Sequence, residues 1–297
     1  MNIGITGASG MLGTALIKGF NSEHRIYATS RKKGVSRENV EWDCFDLLDF
    51  NKLNNWLVVR HLDVIIHCAA IVNVDECEKN IYIAKELHYK TTKIIANYID
   101  RSGGKLIYIS TDSLFNGKKI GLYTEKDTTN PLNVYAKTKL SGEKPVLQMK
   151  NGVVIRTNII GRAEEGKISF SDWIINNLKG KQMIKLFDDV IFSPLHVSDL
   201  SVIIYKIIVN NAVGIYNAGS STPLSKYEFG LILADIFNFE SKYIEKSYIA
   251  CAKSIADRPH NMSLSTNKLS LLLNEKMPIV ERGIQLLKNQ YVNNKNR

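Results

Sequence analysis

Gly7-Ala8-Ser9-Gly10-Met11-Leu12-Gly13 follows the apolar run Asn2 to Thr6 and opens a stretch with helical character. A strand, a glycine turn and a helix in that order make a seat for the pyrophosphate of a dinucleotide. Gly7 permits the tight turn, Gly10 lets the backbone approach the pyrophosphate, and Gly13 lets the helix pack closely on the strand. The helix start then offers free backbone N–H groups and a partial positive charge to the phosphates. Gly7, Gly10, Met11, Leu12 and Gly13 are accordingly the expected cofactor contacts at this end of the site.

Outward from this turn, the first half alternates short apolar runs with helical patterns, as a parallel sheet built from βαβ units does. Strands are expected at Asn2 to Thr6, Arg25 to Ser30, Val64 to Cys68, Lys105 to Ser110 and Val153 to Arg156, with helices such as Ile81 to Asp100 and Asn133 to Met149 between them. The second half is mixed. Asp172 to Leu178 and Asp199 to Val209 read as helices, Met183 to Phe187 and Val190 to Phe192 as a pair of short strands, and Gly214 to Ala218 as another strand. Ser225 followed by Glu228 reads as a capping box for a helix starting near Lys226. The fold class is therefore α/β: a Rossmann-type, doubly wound parallel sheet with a smaller mixed α/β lobe for substrate. Residues 1–157 are the expected dinucleotide-binding domain. Residues 158–297 are mainly the lobe, with segments around 183–210 returning to the first domain.

The 297 residues are 44% hydrophobic and 23% charged, enough apolar material for a sizeable core. No run approaches the roughly 18 apolar residues of a membrane span. The N-terminus moves straight into a strand without the features of a signal peptide, so a cytoplasmic protein is expected. Cys44, Cys68, Cys77 and Cys251 have no metal-ligand spacing; they read as free thiols, and no metal is expected. The net charge of +10 is scattered, with no aromatic-interleaved basic stripe. Neither nucleic acid nor membrane is an expected partner. The apolar helix around Ser201 to Val209 is either core or a subunit face, which leaves a homodimer open.

NAD sites carry an acidic residue at the end of the second strand to hold the ribose hydroxyls. Here that position reads Thr29-Ser30-Arg31-Lys32-Lys33. Either this is a solvated basic turn, or Arg31, helped by Ser30, pairs with a 2′-phosphate, for which a guanidinium fork is suited. NADPH is the expected cofactor, with NADH left open.

A ketone reductase needs a proton donor beside the carbonyl. A tyrosine followed four residues later by a lysine on the same helix face would serve, the lysine lowering the phenol's pKa and bonding the nicotinamide ribose. Tyr135 with Lys139, Tyr89 with Lys93 and Tyr291 with Lys295 all have the spacing. Context selects the first pair. Lys105 to Ser110 ends in Ser110-Thr111-Asp112 at the carboxyl edge of the sheet, where ligands bind in such folds, and Tyr135 opens the next helix.

The glycine spacing G-x-x-G-x-x-G resembles that of extended short-chain dehydrogenase/reductases. Ser110-Thr111-Asp112-Ser113-Leu114-Phe115-Asn116-Gly117 resembles the S-T-D-Y-V-F-x-G block of dTDP-4-dehydrorhamnose reductases within that superfamily. Tyr123, Glu125, Asp127, Asn130-Pro131-Leu132-Asn133, Tyr135, Lys137, Lys139 and Gly142-Glu143 continue the pattern. So do Ile155-Arg156-Thr157-Asn158, Ser193-Pro194, Asp199-Leu200, Arg258-Pro259, Leu264 and Lys268-Leu269. The resemblance covers nearly the whole chain. It implies NADPH-dependent reduction of the C4 ketone of a nucleotide-linked 4-keto-6-deoxy sugar. By position it implies Tyr135 as proton donor, Lys139 as its activator and ribose anchor, and Thr111 as the hydroxyl on the substrate oxygen. Asp46 and Leu47 would flank the adenine, although Asp46 reads equally as a helix N-cap, and Ala69-Ala70 would line the cofactor. Val74, Asp112, Ser113, Asn158 and Arg258 are the implied substrate contacts. Arg258 suits a diphosphate but also reads as a surface ion pair, while His196 could bond a substrate phosphate.

Three departures fall on the sugar pocket. Ser113 stands where the family has tyrosine, Asn158 and Ile159 occupy the region of a sugar-stacking tryptophan, and Ile71-Val72 follow the alanine pair in place of a polar residue. Two other functions compete. One is a sugar-nucleotide epimerase or dehydratase that retains NAD; against dehydration, the acid expected after Asp112 is Ser113. The other is a non-catalytic regulatory subunit of a methionine adenosyltransferase.

Overall fold

The structure is a computed structural model and describes residues 1–163, 167–251 and 255–293. Six strands are β1 (Asn2–Thr6), β2 (Arg25–Ser30), β3 (Val40–Cys44), β4 (Val64–His67), β5 (Lys105–Ile109) and β6 (Gly152–Thr157). With a seventh, Gly214–Ala218, they form one sheet in the order Gly214–Ala218, β6, β5, β4, β1, β2, β3. Every pairing in it is parallel. Strands covered on both faces read as largely apolar runs, and β4, β5 and β6 are buried along their whole length.

The helices divide between the two faces. Met11–Phe20 and Val197–Val209 bring Leu12, Leu16, Leu200, Ile204 and Ile207 against Ile3, Ile5, Ile107 and Ile155 on one side. Phe50–Arg60, Thr91–Arg101 and Val134–Leu147 bring Leu53, Trp56, Ile95, Ile99 and Val146 against Ile65, Leu106 and Val154 on the other. A separate cluster around Phe192, Phe229, Leu233 and Ile284 is the core of the smaller lobe.

Three expectations change. The helix expected over Ile81 to Asp100 is interrupted: a π-helical turn, Glu86–Lys90, separates Ile81–Lys85 from Thr91–Arg101. The widened turn carries His88 inward, fully buried, where Nδ1 meets Thr138 Oγ1 at 2.8 Å and Nε2 accepts from the Ile71 amide at 3.0 Å. Such turns concentrate at functional sites. The two short strands near residue 190 do not pair with each other. Ile184–Phe187 runs parallel to Ile244–Ser247, and Ile191–Phe192 runs antiparallel to Leu224–Ser225. Finally, β3 and the helix Phe50–Arg60 are additions; β3 is a sheet edge, half-exposed and alternating in polarity, so its apolar content is low.

The Ser225–Glu228 capping box is present in both directions. Lys295, of the Tyr291 pair, lies outside the described residues. Tyr291 itself packs in the lobe, its hydroxyl donating to Asp172. Among the described residues, no helix is long and apolar enough to cross a membrane.

Candidate active site

The glycine turn is built as its chemistry requires. Gly7 has φ +65°, and a Cβ there would lie 2.7 Å from the Ala69 amide nitrogen. A Cβ on Gly13 would lie 2.6 Å from Ala8 Cα, so the helix could not close on the strand. Gly10 caps the helix without a side-chain partner, and no acidic residue stands in the first turn. The positive helix end is thus left for an anion. Ala69, after β4, lies against Gly7, and its amide donates to Thr6 Oγ1 at 3.4 Å; Ala70 follows it in the chain.

At the end of β2, Ser30 is buried and its hydroxyl donates to the Lys32 carbonyl. Arg31 is exposed and makes no ion pair among the described residues. The carboxylates on the neighbouring strand are already committed: Glu41 to Arg25 and Arg60, and Asp43 to Arg60 through two bonds of 2.9 and 3.0 Å. A free guanidinium beside neutralised acids fits a 2′-phosphate. Asp46 is exposed and accepts from the Leu48 amide at 2.9 Å, while Leu47 is buried. The helix N-cap weighed for Asp46 is instead Asp49, which accepts from the Lys52 amide at 3.1 Å.

At the carboxyl edge of β5 the structure brings Thr111, Tyr135 and Lys139 together. Tyr135 is the second residue of the helix Val134–Leu147, whose cap Asn133 accepts from the Ala136 amide at 2.9 Å. Burial, opposed by the neighbouring Thr111 side chain, pushes the phenol's pKa up to about 12. Lys139 donates to the Ile109 carbonyl at 2.6 Å and lies 4.1 Å above the Tyr108 ring. Burial brings the Lys139 ammonium down to about 7. In the protein alone, desolvation therefore outweighs any lowering of the phenol by the lysine.

Beneath this set lies a buried ion pair between two motif residues that nothing in the motifs themselves pairs. Arg156 grips Glu143 through Nε at 3.1 Å and Nη2 at 2.7 Å, and Ser110 Oγ donates to the same carboxylate at 2.6 Å. It fastens β5 and β6 to the Tyr135 helix.

Directly after Thr111, Asp112 is buried. It accepts from Asn158 Nδ2 at 2.8 Å and from Ser113 Oγ at 3.2 Å. Burial raises its pKa against these donors and the nearby charge of Lys226. Val74 opens the short helix Val74–Lys79. Its neighbour Asp75 accepts from the Ala256 amide at 3.0 Å and lies 3.8 Å from Arg258, which is exposed. Lys226 arrives from the lobe and feels the charges of both Asp112 and Arg258. Its only signal in sequence is its place after the Ser225 cap.

His196 does not reach this cleft. The ring is 1% exposed and Nδ1 accepts from the Ser198 amide at 3.2 Å, capping the helix Val197–Val209. His67 is a core residue, bonded to Thr6 Oγ1 at 2.6 Å and pulled down to about 3 by burial. Burial pushes the Cys68 and Cys77 thiols up to about 12 and 11, which makes them poor nucleophiles. No group of three or more potential metal ligands occurs among the described residues.

A family model described as the RmlD substrate binding domain matches residues 1–292. The chain belongs to this family. The RmlD-family chain is 32% identical over 298 residues to methionine adenosyltransferase 2 subunit beta of Xenopus laevis, covering 94% of this chain and 83% of that one. It is 23% identical over 291 residues to the Haloferax volcanii protein named "Probable low-salt glycan biosynthesis reductase Agl14", covering 95% and 96%. Among solved structures it is similar to a dTDP-4-dehydrorhamnose reductase of Bacillus anthracis in complex with NADP, at 28% identity and TM-score 0.87, covering 97% of this RmlD-family chain and 99% of the other.

Proposed function

We propose that this protein is an NADPH-dependent oxidoreductase that reduces the C4 ketone of a nucleotide-linked 4-keto-6-deoxy sugar. The observation that carries the reading is the placement of Thr111 beside Tyr135, with Lys139 one turn on, at the sheet edge that also holds the glycine turn. The similar Bacillus anthracis reductase, solved with NADP, supports the cofactor.

The bound cofactor supplies a hydride to the carbonyl carbon. Gly7, Gly10, Met11, Leu12 and Gly13 hold its pyrophosphate, Ser30 and Arg31 its 2′-phosphate, Asp46 and Leu47 its adenine, and Ala69 and Ala70 its inner face. Thr111 donates to the substrate oxygen. Tyr135 gives that oxygen its proton, and Lys139 anchors the ribose and stabilises the phenolate left behind. Val74, Asp112, Ser113, Asn158 and Arg258 orient the sugar nucleotide. Residues 1–157 serve mainly the cofactor and residues 158–297 mainly the substrate.

The test is NADPH oxidation at 340 nm against a panel of nucleotide-linked 4-keto-6-deoxy sugars, with NADH in parallel. Turnover with one sugar is expected. Silence across the panel from protein that binds NADPH would reject the reading. Tight NAD surviving purification would favour an epimerase or dehydratase instead. The likeness to methionine adenosyltransferase 2 subunit beta gives a second reading, a regulatory subunit. It is tested by recovery of a methionine adenosyltransferase in a pull-down.

Arg31→Ala is expected to raise KM for NADPH by about 10- to 100-fold, as loss of a charge-assisted contact does, with little change for NADH. Equal losses with both cofactors would remove Arg31 from the 2′-phosphate.

A further inference from the structure

Lys226 is the first residue of the helix Lys226–Phe237, and its backbone is fixed by the Ser225–Glu228 capping box and by a 3.1 Å bond from its amide to the Val190 carbonyl. From that rigid base the side chain runs between aromatic rings. Its ammonium is 3.3 Å from the centroid of Phe192 and 4.5 Å from that of Phe170. Among the described residues the nitrogen makes no hydrogen bond and no ion pair. Burial takes its pKa down to about 7, with Asp112 raising it and Arg258 lowering it further.

Lys226 is half-buried, and an ammonium hemmed in by ring faces and left without an acceptor is costly to the extent that it is withdrawn from water. Ring faces compensate only part of that cost. Asp112 is near but is already supplied with donors from Asn158, Ser113 and Thr111. Arg258 adds a second positive charge, paired only at 3.8 Å with Asp75. Two cations therefore converge on one wall of the cleft, next to the strand end that carries Thr111, with more positive charge than the described residues pair off.

The geometry points to Lys226 as a substrate-anchoring residue that, with Arg258, binds an oxyanion of the nucleotide-linked substrate. This rests on the reading of the cleft as a sugar-nucleotide site. The oxyanion has two sources, the diphosphate bridge that a nucleoside diphosphate sugar carries or, on a sugar with an oxidised C6 in place of the 6-deoxy methyl, its carboxylate. The aromatic walls hold the ammonium at a fixed height, so the residue selects by charge as well as by position.

The test is calorimetric binding, with NADP⁺ present, of a panel of nucleoside diphosphates, followed by the hexose and hexuronate conjugates of the base that binds best. Lys226→Met and Lys226→Gln are expected to lose about 10- to 100-fold in affinity for the nucleoside diphosphate, the worth of a charge-assisted hydrogen bond. Lys226→Arg is expected to restore it to within a few fold, and NADP⁺ binding reports that each variant is folded. Unchanged nucleoside diphosphate affinity, with loss of a preference for the hexuronate over the hexose conjugate, would identify the sugar carboxylate as the source. Unchanged affinity for every ligand in the folded Met and Gln variants would overturn the assignment, as would a parent protein that binds none of them. No turnover is read, so protein that shows Lys226-dependent binding but no NADPH oxidation rejects the reductase reading alone.

Discussion

Replacing Tyr135 by phenylalanine is expected to lower kcat by roughly 10²–10⁴, the usual loss when a general acid is removed, while NADPH binding stays within about twofold. The substitution deletes one oxygen from a ring that sits edge-on to His88 at 5.9 Å, so packing survives. The phenol, pushed up to about 12, keeps its proton throughout the neutral range and is poised to donate rather than accept. Thr111 keeps its bonds to Asp112 and the Ser113 amide and does not collapse into the gap. Single-turnover absorbance at 340 nm with saturating NADPH measures the effect. A variant that turned over at the parental rate would dismiss Tyr135 as the proton donor.

The second large effect is on stability. Glu143→Ala is expected to cost about 3–5 kcal/mol, because it leaves the Arg156 charge buried without a counter-ion. The pair is almost completely enclosed, with side-chain exposures of 4% and 2%, so solvent does little to screen the loss. Ser110 loses its acceptor at the same time. The double variant Glu143→Gln with Arg156→Met is expected to recover most of the loss, since a neutral pair of similar volume has no charge to strand. Urea denaturation of the three proteins decides it. A loss below about 1 kcal/mol in Glu143→Ala would mean that Arg156 finds water or another acceptor. Activity should fall in parallel, because Thr111 follows directly after Ser110 on the strand end that the pair holds in place.

Where sequence served well, one physical signal dominated. The strands Asn2–Thr6 and Arg25–Ser30 fall where their short apolar runs end, because burial on both faces leaves no ambiguity of period. The Ser225–Glu228 box was legible because capping is local chemistry. The losses came where tertiary context decides. β3 lies at the sheet edge and carries Glu41 and Asp43 for Arg60, which reads as surface. The π-helical turn adds a residue to a helix without altering its composition, so nothing at Glu86–Lys90 announces that His88 turns inward. His196 has the side chain for a phosphate, yet its strand Leu195–His196, paired with Ile159–Ile160, puts the ring between layers. Lys226 is one lysine among many until the lobe folds it over Phe192 and toward Asp112. Side chains that meet across the cleft come from segments more than a hundred residues apart, a relation that local periodicity does not carry.

The last strand of the sheet has a consequence for biosynthesis. β6 gains its outer neighbour only from Gly214–Ala218. A nascent chain released past Thr157 would hold a strand with the apolar run Val153–Ile155 and one row of backbone donors and acceptors open. That row stays open until residue 218 has left the ribosome. Such an edge is a template for pairing with another chain, and long-range parallel pairing forms slowly. The hazard falls on the ribosome-bound intermediate, so crowded translation at elevated temperature should cost soluble yield before it touches the finished protein.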